Sequence, residues 1–178
     1  APEKVRRKLA PLGGAFFVSV ILLVILASLA VDRLLGLPAL AAKRTALYAG
    51  LPLFAAGAAL WLWSVLQFVR AKGTPIPLNP PSRLIQEGPY RYVRNPMLAG
   101  VFIMLLGLGA LLRSWSLTAV FTPLFVICAL LEFKLIEEPE LERRLGDAYQ
   151  AYRARTPMLI PRLRSSRLLL LVLPALPF

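Results

Sequence analysis

Two short polar stretches carry the side chains best suited to chemistry in this chain of 178 residues. The first covers residues 88–97 and has the sequence GPYRYVRNPM. Asn95 is a favourable helix N-cap and Pro96 a favourable first helical residue, so a helix is expected to begin there. A helix N-terminus attracts anions through its free N–H groups, and Arg94 adds a forked donor for a carboxylate. The stretch predicts either an anion-binding site or only a turn and a helix cap.

The second stretch is the adjacent carboxylate pair Glu137 and Glu138. These side chains can complement the positive end of a helix dipole, because Pro139 suits the first turn of a helix that begins here. They can also accept hydrogen bonds from the ribose hydroxyls or the ammonium group of a ligand. The spacing alone leaves both interpretations open.

Several kinds of catalytic centre are excluded, because the chain has no histidine and a single cysteine, Cys128. It has no imidazole base, no His-ligated zinc or haem, and no Ser-His-Asp or Cys-His nucleophile system. One cysteine also excludes an internal disulfide and a Cys-bound iron–sulfur cluster. We therefore expect no metal site.

The elements that position the two polar stretches are apolar. Hydrophobic residues make up 58% of the chain and charged residues 17%, against about 45–50% and about 25% in soluble domains. Four apolar segments account for this composition: residues 12–35, 46–69, 97–112 and 116–136. The last two are separated by only three residues, which predicts a tight antiparallel helical hairpin. The predicted fold is an all-α integral membrane protein with about four transmembrane helices.

This hairpin would bring Asn95 and Glu137 to the same membrane face, followed by an amphipathic helix over residues 137–155. A pocket there would have donors on one side, carboxylates on the other and tyrosines between them. These groups complement a ligand with a carboxylate, an ammonium, a ribose and an aromatic base. S-adenosylmethionine has all four, although other nucleotides satisfy the same physical description.

The basic residues predict the orientation in the membrane. The net charge is +12, and with the N-terminus inside, sixteen of the 21 Lys and Arg residues fall on the cytoplasmic side and four outside. Both termini, both polar stretches and the amphipathic helix are therefore expected to be cytoplasmic. The positive charge is explained by topology and by attraction to anionic lipid, so we expect membrane lipid and no nucleic acid as partner. The oligomeric state has no sequence signal.

Residues 82–161 resemble the membrane methyltransferases that include isoprenylcysteine carboxyl methyltransferase and the phospholipid methyltransferases. The matching features are LIQEGPYRYVRNPM, a helical hairpin, and then EEPELERRLGDAYQAYRARTPMLIP, in matching order and spacing. The resemblance implies an S-adenosylmethionine site under the cytoplasmic membrane face and a lipid-like small-molecule acceptor. It implies cofactor contacts at these positions: Leu84, Ile85, Tyr90, Arg94, Asn95, Pro96, Met97, Leu98 and Glu137.

The resemblance also suggests roles in the reaction and a division of the chain. Glu138 is the candidate catalytic residue, with Glu137 as the other possible base for an ammonium acceptor, and Lys134 is a candidate substrate contact. The expected parts are a two-helix membrane anchor (1–70), a methyltransferase-like core with the cofactor pocket (71–161), and a basic, then apolar interfacial tail (162–178).

Three departures from the family pattern bear on the acceptor. Asn95 stands where the isoprenylcysteine branch has His, and in this it is similar to the phospholipid branch. Leu98 replaces a Tyr, and Phe133 replaces a substrate-binding Arg. The acceptor is thus either an isoprenylcysteine-type carboxylate or a lipid head group. Two other hypotheses are an NADPH-dependent, sterol-type membrane reductase and a non-catalytic membrane protein that keeps the fold.

Overall fold

The structure is a computed structural model that describes residues 3–71 and 84–161, with side chains from residue 12 onward in the first range. These ranges contain no strand and six α-helices: α1 Glu3–Leu34, α2 Lys43–Arg70, α3 Pro96–Leu112, α4 Thr122–Glu132, α5 Glu138–Leu145 and α6 Asp147–Arg155. Single turns of π-helix at Leu117–Phe121 and Phe133–Glu137 flank α4, so that one helical segment extends over Leu117–Leu145. The predicted tail, 162–178, lies outside the described residues.

Three helices are long and apolar enough to cross a membrane: Leu12–Leu34, Lys43–Arg70 and Leu117–Leu145. The remaining apolar helix, α3, has 17 residues, which corresponds to about 25 Å at 1.5 Å per residue. The predicted all-α membrane fold is therefore confirmed. That α3 is a fourth span stays a prediction.

Helices α2 and α3 pack antiparallel against each other along glycines. A β-carbon placed on Gly50 would lie 2.8 Å from the carbonyl oxygen of Gly107, and one placed on Gly57 would lie 2.7 Å from that of Gly100. Small residues allow the backbones of membrane helices to approach this closely. The packing fixes the beginning of α3 against the second half of α2.

The region predicted as one amphipathic helix, residues 137–155, contains two helices separated by Gly146. Gly146 has φ +51° and ψ −133°, a conformation that only glycine adopts without strain. The chain therefore changes direction between α5 and α6. As a result, Tyr149 and Tyr152 of α6 are almost completely buried, with 1% and 3% exposure.

A polar cluster lies at the C-terminal end of α3. We call it the Asp32 junction (Asp32, Arg113, Ser114 and Ser116). The carboxylate of Asp32 in α1 accepts hydrogen bonds from the hydroxyl of Ser114 and, at 3.0 Å, from the backbone N–H of Ser116. Arg113 donates from Nε to the carbonyl oxygen of Ala41 at 2.8 Å. These bonds tie α1 and the α1–α2 connection to the turn after α3.

Candidate functional site

The N-terminus of α3 forms where the sequence predicts it. Asn95 is the N-cap, and its side-chain oxygen accepts a hydrogen bond from the backbone N–H of Leu98 at 3.2 Å. Pro96 is the buried first residue, and Met97 and Leu98 are half-buried in the first turn. The other N–H groups of a first helical turn have no partner within their helix. This end of α3 is therefore suited to binding an anion.

The chain that follows α6 holds the residues just before α3. The backbone N–H of Arg94 donates to the carbonyl oxygen of Pro157 at 2.8 Å, and the N–H of Asn95 donates to that of Met158 at 3.0 Å. Sequence reasoning missed this pairing, because backbone bonds between two irregular segments leave no residue pattern. The pairing fixes the approach of the chain to the helix N-terminus.

The two polar stretches meet in a buried ion pair between Arg94 and Glu138, whose side chains are 9% and 3% exposed. Glu138 also forms an ion pair with Arg153 of α6 at 3.5 Å, through its second carboxylate oxygen. Arg94 Nη1 lies 3.4 Å from the hydroxyl of Tyr149. This pair joins the residues before α3 to the carboxylates after α4, whereas the sharing of one membrane face by Asn95 and Glu137 stays a prediction. Arg94 Nε is buried without a hydrogen-bond partner among the described residues.

Three tyrosines support the turn that carries the site. The Tyr152 hydroxyl donates to the backbone carbonyl of Tyr90 at 2.7 Å, and the Tyr90 ring packs edge-on against Phe68 with centroids 5.6 Å apart. Burial raises the pKa of Tyr149 and Tyr152, so their phenols stay protonated at neutral pH. Burial and then the nearby charges of Tyr152 and Glu137 raise the pKa of Tyr90.

Glu137 has a different environment from its neighbour Glu138. It is half-buried and forms no hydrogen bond or ion pair with another described residue, although Glu138 is ion-paired through both oxygens. Glu137 ends the π-turn Phe133–Glu137, a type of turn frequently found at functional sites. In the same turn Phe133 is buried and Lys134 is exposed, and the described ion-pair partners of Glu138 are Arg94 and Arg153 rather than Lys134.

Leu84 and Ile85 line a separate recess next to this turn, which we call the Gln67 cleft. Its volume is about 240 Å³, and its lining is Gln67, Arg70, Ala71, Leu84, Ile85, Gln86 and Glu87. Gly88 adjoins it with φ +57°, and a β-carbon there would lie 2.7 Å from Gln67 Nε2. Sequence reasoning missed Gln67. The sequence did contain one indication: Gln67 is a polar residue inside an apolar membrane segment, and such residues often have a functional role.

A comparison with known protein families finds a match that covers the helices described above. The phospholipid methyltransferase family model matches residues 45–148, which include nearly all of α2, all of α3 and both carboxylates. A comparison with curated proteins finds no match. The family match covers more than half of the chain and includes the helices that position the site. The chain therefore belongs to the phospholipid methyltransferase family.

Proposed function

We propose that this protein transfers a methyl group from S-adenosylmethionine to a lipophilic acceptor at the cytoplasmic membrane face. Membership of the phospholipid methyltransferase family supports methyl transfer in a membrane. The observation that carries the cofactor assignment is the carboxylate of Glu137, which is half-buried and has no hydrogen-bond or ion-pair partner among the described residues. The acceptor is an isoprenylcysteine-type carboxylate or a lipid head group.

The groups available at the site fit this cofactor. The N-terminus of α3 suits its carboxylate, and Glu137 suits its ammonium group or its ribose hydroxyls. The Nε of Arg94, which has no hydrogen-bond partner in the part of the chain that the structure describes, offers a further donor. The residues proposed to hold the cofactor are Leu84, Ile85, Tyr90, Arg94, Asn95, Pro96, Met97, Leu98 and Glu137.

When bound, S-adenosylmethionine supplies a methyl group on a positively charged sulfur, which is already an activated electrophile. The residues of this chain then have to hold and orient the reacting groups and exclude water. A carboxylate acceptor needs no base, whereas an ammonium acceptor must first lose a proton. A carboxylate has two oxygens, so Glu137 can hold the cofactor through one and accept that proton through the other.

The geometry favours a positioning role for Glu138 over the catalytic role expected from the sequence. Both of its oxygens face arginines, Arg94 and Arg153, and its side chain is 3% exposed. A carboxylate held in this way stabilises the loop before α3 more readily than it accepts a proton. Lys134 is exposed on the same helical segment, and we assign it to an anionic group of the acceptor.

The first test is calorimetric titration of the full chain in detergent with S-adenosylmethionine. Glu137→Gln should weaken binding about 10- to 100-fold, because a hydrogen bond to a charged group contributes about 1.5–3 kcal/mol. The thermal midpoint should change little, because Glu137 has no partner to lose within the described residues. Asp147→Asn is the control, since this exposed carboxylate lies on α6 and should leave the affinity within about twofold.

Absence of binding by the wild-type protein would contradict the proposed function. Tighter binding of NADPH than of S-adenosylmethionine would favour a reductase instead. Incubation with methyl-labelled S-adenosylmethionine and a total lipid extract should then label a lipid, and the labelled product identifies the acceptor. Cofactor binding without any labelled product would favour the non-catalytic alternative.

A further inference from the structure

Two side chains proposed to hold the cofactor are covered in this structure. Tyr90 is 6% exposed and the Arg94 side chain is 9% exposed. Arg94 Nε is buried, although it has no hydrogen-bond partner in the described part of the chain. A ligand can accept a hydrogen bond from this N–H only after a neighbouring element has moved aside.

The element that covers these two side chains is α6. Tyr149 is 1% exposed, and its hydroxyl lies 3.4 Å from Arg94 Nη1. Tyr152 is 3% exposed, and its hydroxyl donates to the Tyr90 carbonyl at 2.7 Å. The opposite side of α6 is exposed, as at Gln150. Helix α6 is therefore a single layer over Tyr90 and Arg94.

Helix α6 lies between two residues, Gly146 and Pro157, that are not helical. Gly146 has φ +51° and ψ −133°, and a β-carbon placed there would meet nothing within 4 Å. Glycine is thus required here by the backbone conformation and not by a lack of space. At the other end, the Pro157 carbonyl accepts from the N–H of Arg94 at 2.8 Å and anchors the chain. Residues at the ends of an element are the usual positions that absorb changes in φ and ψ when the element moves.

Two of the contacts that hold α6 in place are exposed. Arg153 is 43% exposed and forms an ion pair with Glu142 of α5, which is 33% exposed. Arg155 donates a hydrogen bond to the side-chain oxygen of Gln86, also at an exposed position. Exposed pairs of this kind contribute little to stability. They therefore hold α6 only weakly against α5 and the residues before α3.

We propose that residues 147–156 form a flap, the α6 flap, which swings outward between Gly146 and Pro157 to admit the cofactor and then closes over it. This inference rests on the proposed function, because the side chains under the flap are proposed cofactor contacts. A ligand that accepts a hydrogen bond from Arg94 Nε stabilises the closed flap, because a buried donor without an acceptor is costly. The rate of cofactor association is then limited by the fraction of molecules in which the flap is open.

The test ties the flap down with a reversible cross-link. Gln86→Cys and Arg155→Cys replace two side chains that are in contact, in a Cys128→Ser background, and a short bismaleimide with a cleavable disulfide spacer joins them. Surface plasmon resonance in detergent then measures the binding of S-adenosylhomocysteine. Cross-linking the free protein should slow association about tenfold or more, and cross-linking the loaded protein should slow dissociation to a similar extent. Reduction of the spacer should restore both rates.

The matched control is the same cross-link within α5. Glu140→Cys and Arg144→Cys replace an exposed pair whose side chains lie 3.7 Å apart. This cross-link does not join α6 to the residues before α3, so it should leave both rates unchanged.

A second measurement uses cysteine reactivity in the same Cys128→Ser background. A small maleimide reaches the buried position in Tyr149→Cys only when the flap is open, so saturating S-adenosylhomocysteine should slow this reaction about tenfold. Gln150→Cys, at the exposed neighbouring position, should react equally fast with and without the ligand.

Unchanged rates of binding in the protein cross-linked between residues 86 and 155 would overturn the α6 flap. Equal reactivity of Tyr149→Cys with and without the ligand would overturn it as well. In both cases the ligand still binds, so the proposed function would stand. No binding of S-adenosylhomocysteine by the wild type would instead overturn the proposed function.

Discussion

The two polar clusters at opposite ends of α3 differ in how completely their groups are paired. In the Asp32 junction the carboxylate of Asp32 has two donors, and Ser114 both donates to it and accepts from the N–H of Leu117 at 3.0 Å. Around the other end of α3, Arg94 and Glu138 are paired, but Arg94 Nε and Glu137 have no partner among the described residues.

This difference is the one we expect between a structural junction and the proposed cofactor site. Both clusters join distant parts of the chain, Asp32 with Ser114 across 82 residues and Arg94 with Glu138 across 44. Polar groups beside a membrane are costly unless they are hydrogen-bonded or paired. The junction meets this requirement with its own residues. At the other end of α3, Arg94 Nε and the Glu137 carboxylate have no partner among the described residues, and both can pair with a charged ligand.

The largest effect is expected from Glu138→Gln at the site. Removing one partner of a buried ion pair leaves a buried charge uncompensated, which costs about 3–5 kcal/mol of the free energy of unfolding. Arg94, with 9% exposure, is the charge left over. Denaturant titration in detergent measures this loss, and cofactor affinity should fall too, because Arg94 and the residues before α3 lose their support.

Glu140→Gln is the control for this change. Glu140 lies on the same helix and is 46% exposed, with Arg144 at 3.7 Å. Exposed pairs of this kind contribute at most about 1 kcal/mol. Equal losses of stability in the two variants would contradict the assignment of Glu138 as a buried positioning residue.

An intermediate effect is expected from Asp32→Ala at the junction. The change leaves the Ser114 hydroxyl and the Ser116 N–H without their acceptor, which should lower the free energy of unfolding by about 2–3 kcal/mol. Affinity for S-adenosylmethionine should stay within about twofold, because the junction lies at the other end of α3. Asp147→Asn, at an exposed aspartate, should change neither quantity. A large loss of affinity in folded Asp32→Ala would show that the two clusters are coupled.

The smallest effect is expected from Tyr152→Phe. This variant loses the 2.7 Å hydrogen bond to the Tyr90 carbonyl but keeps the buried ring. The free energy of unfolding should fall by about 1 kcal/mol, and cofactor affinity should fall by a few-fold because Tyr90 is less firmly held. Tyr48→Phe removes a phenol that is 77% exposed and should have no measurable effect. If both variants behave alike, Tyr152 does not position Tyr90.

Local sequence signals predicted a substantial part of the fold and of the site. The apolar segments located the membrane helices, and Asn95 followed by Pro96 located the first residue of α3. Both signals are local, since hydropathy and capping depend on neighbouring residues. The break at Gly146 was missed, because a glycine near charged residues is compatible with either a continuous helix or a turn. The Gln67 cleft was missed because it combines α2 with residues 84–87.

The sequence by itself determined that this is a helical membrane protein with a capped helix N-terminus and two adjacent carboxylates. Only the tertiary structure decided which carboxylate is neutralised. Glu137 and Glu138 are neighbours, but successive residues of a helix point about 100° apart. The π-turn before them and the packing of α6 therefore direct Glu138 to Arg94 and Arg153. Glu137 points in another direction and has no partner among the described residues. The sequence could not show this, because the direction of each side chain depends on contacts between segments that are distant in the chain.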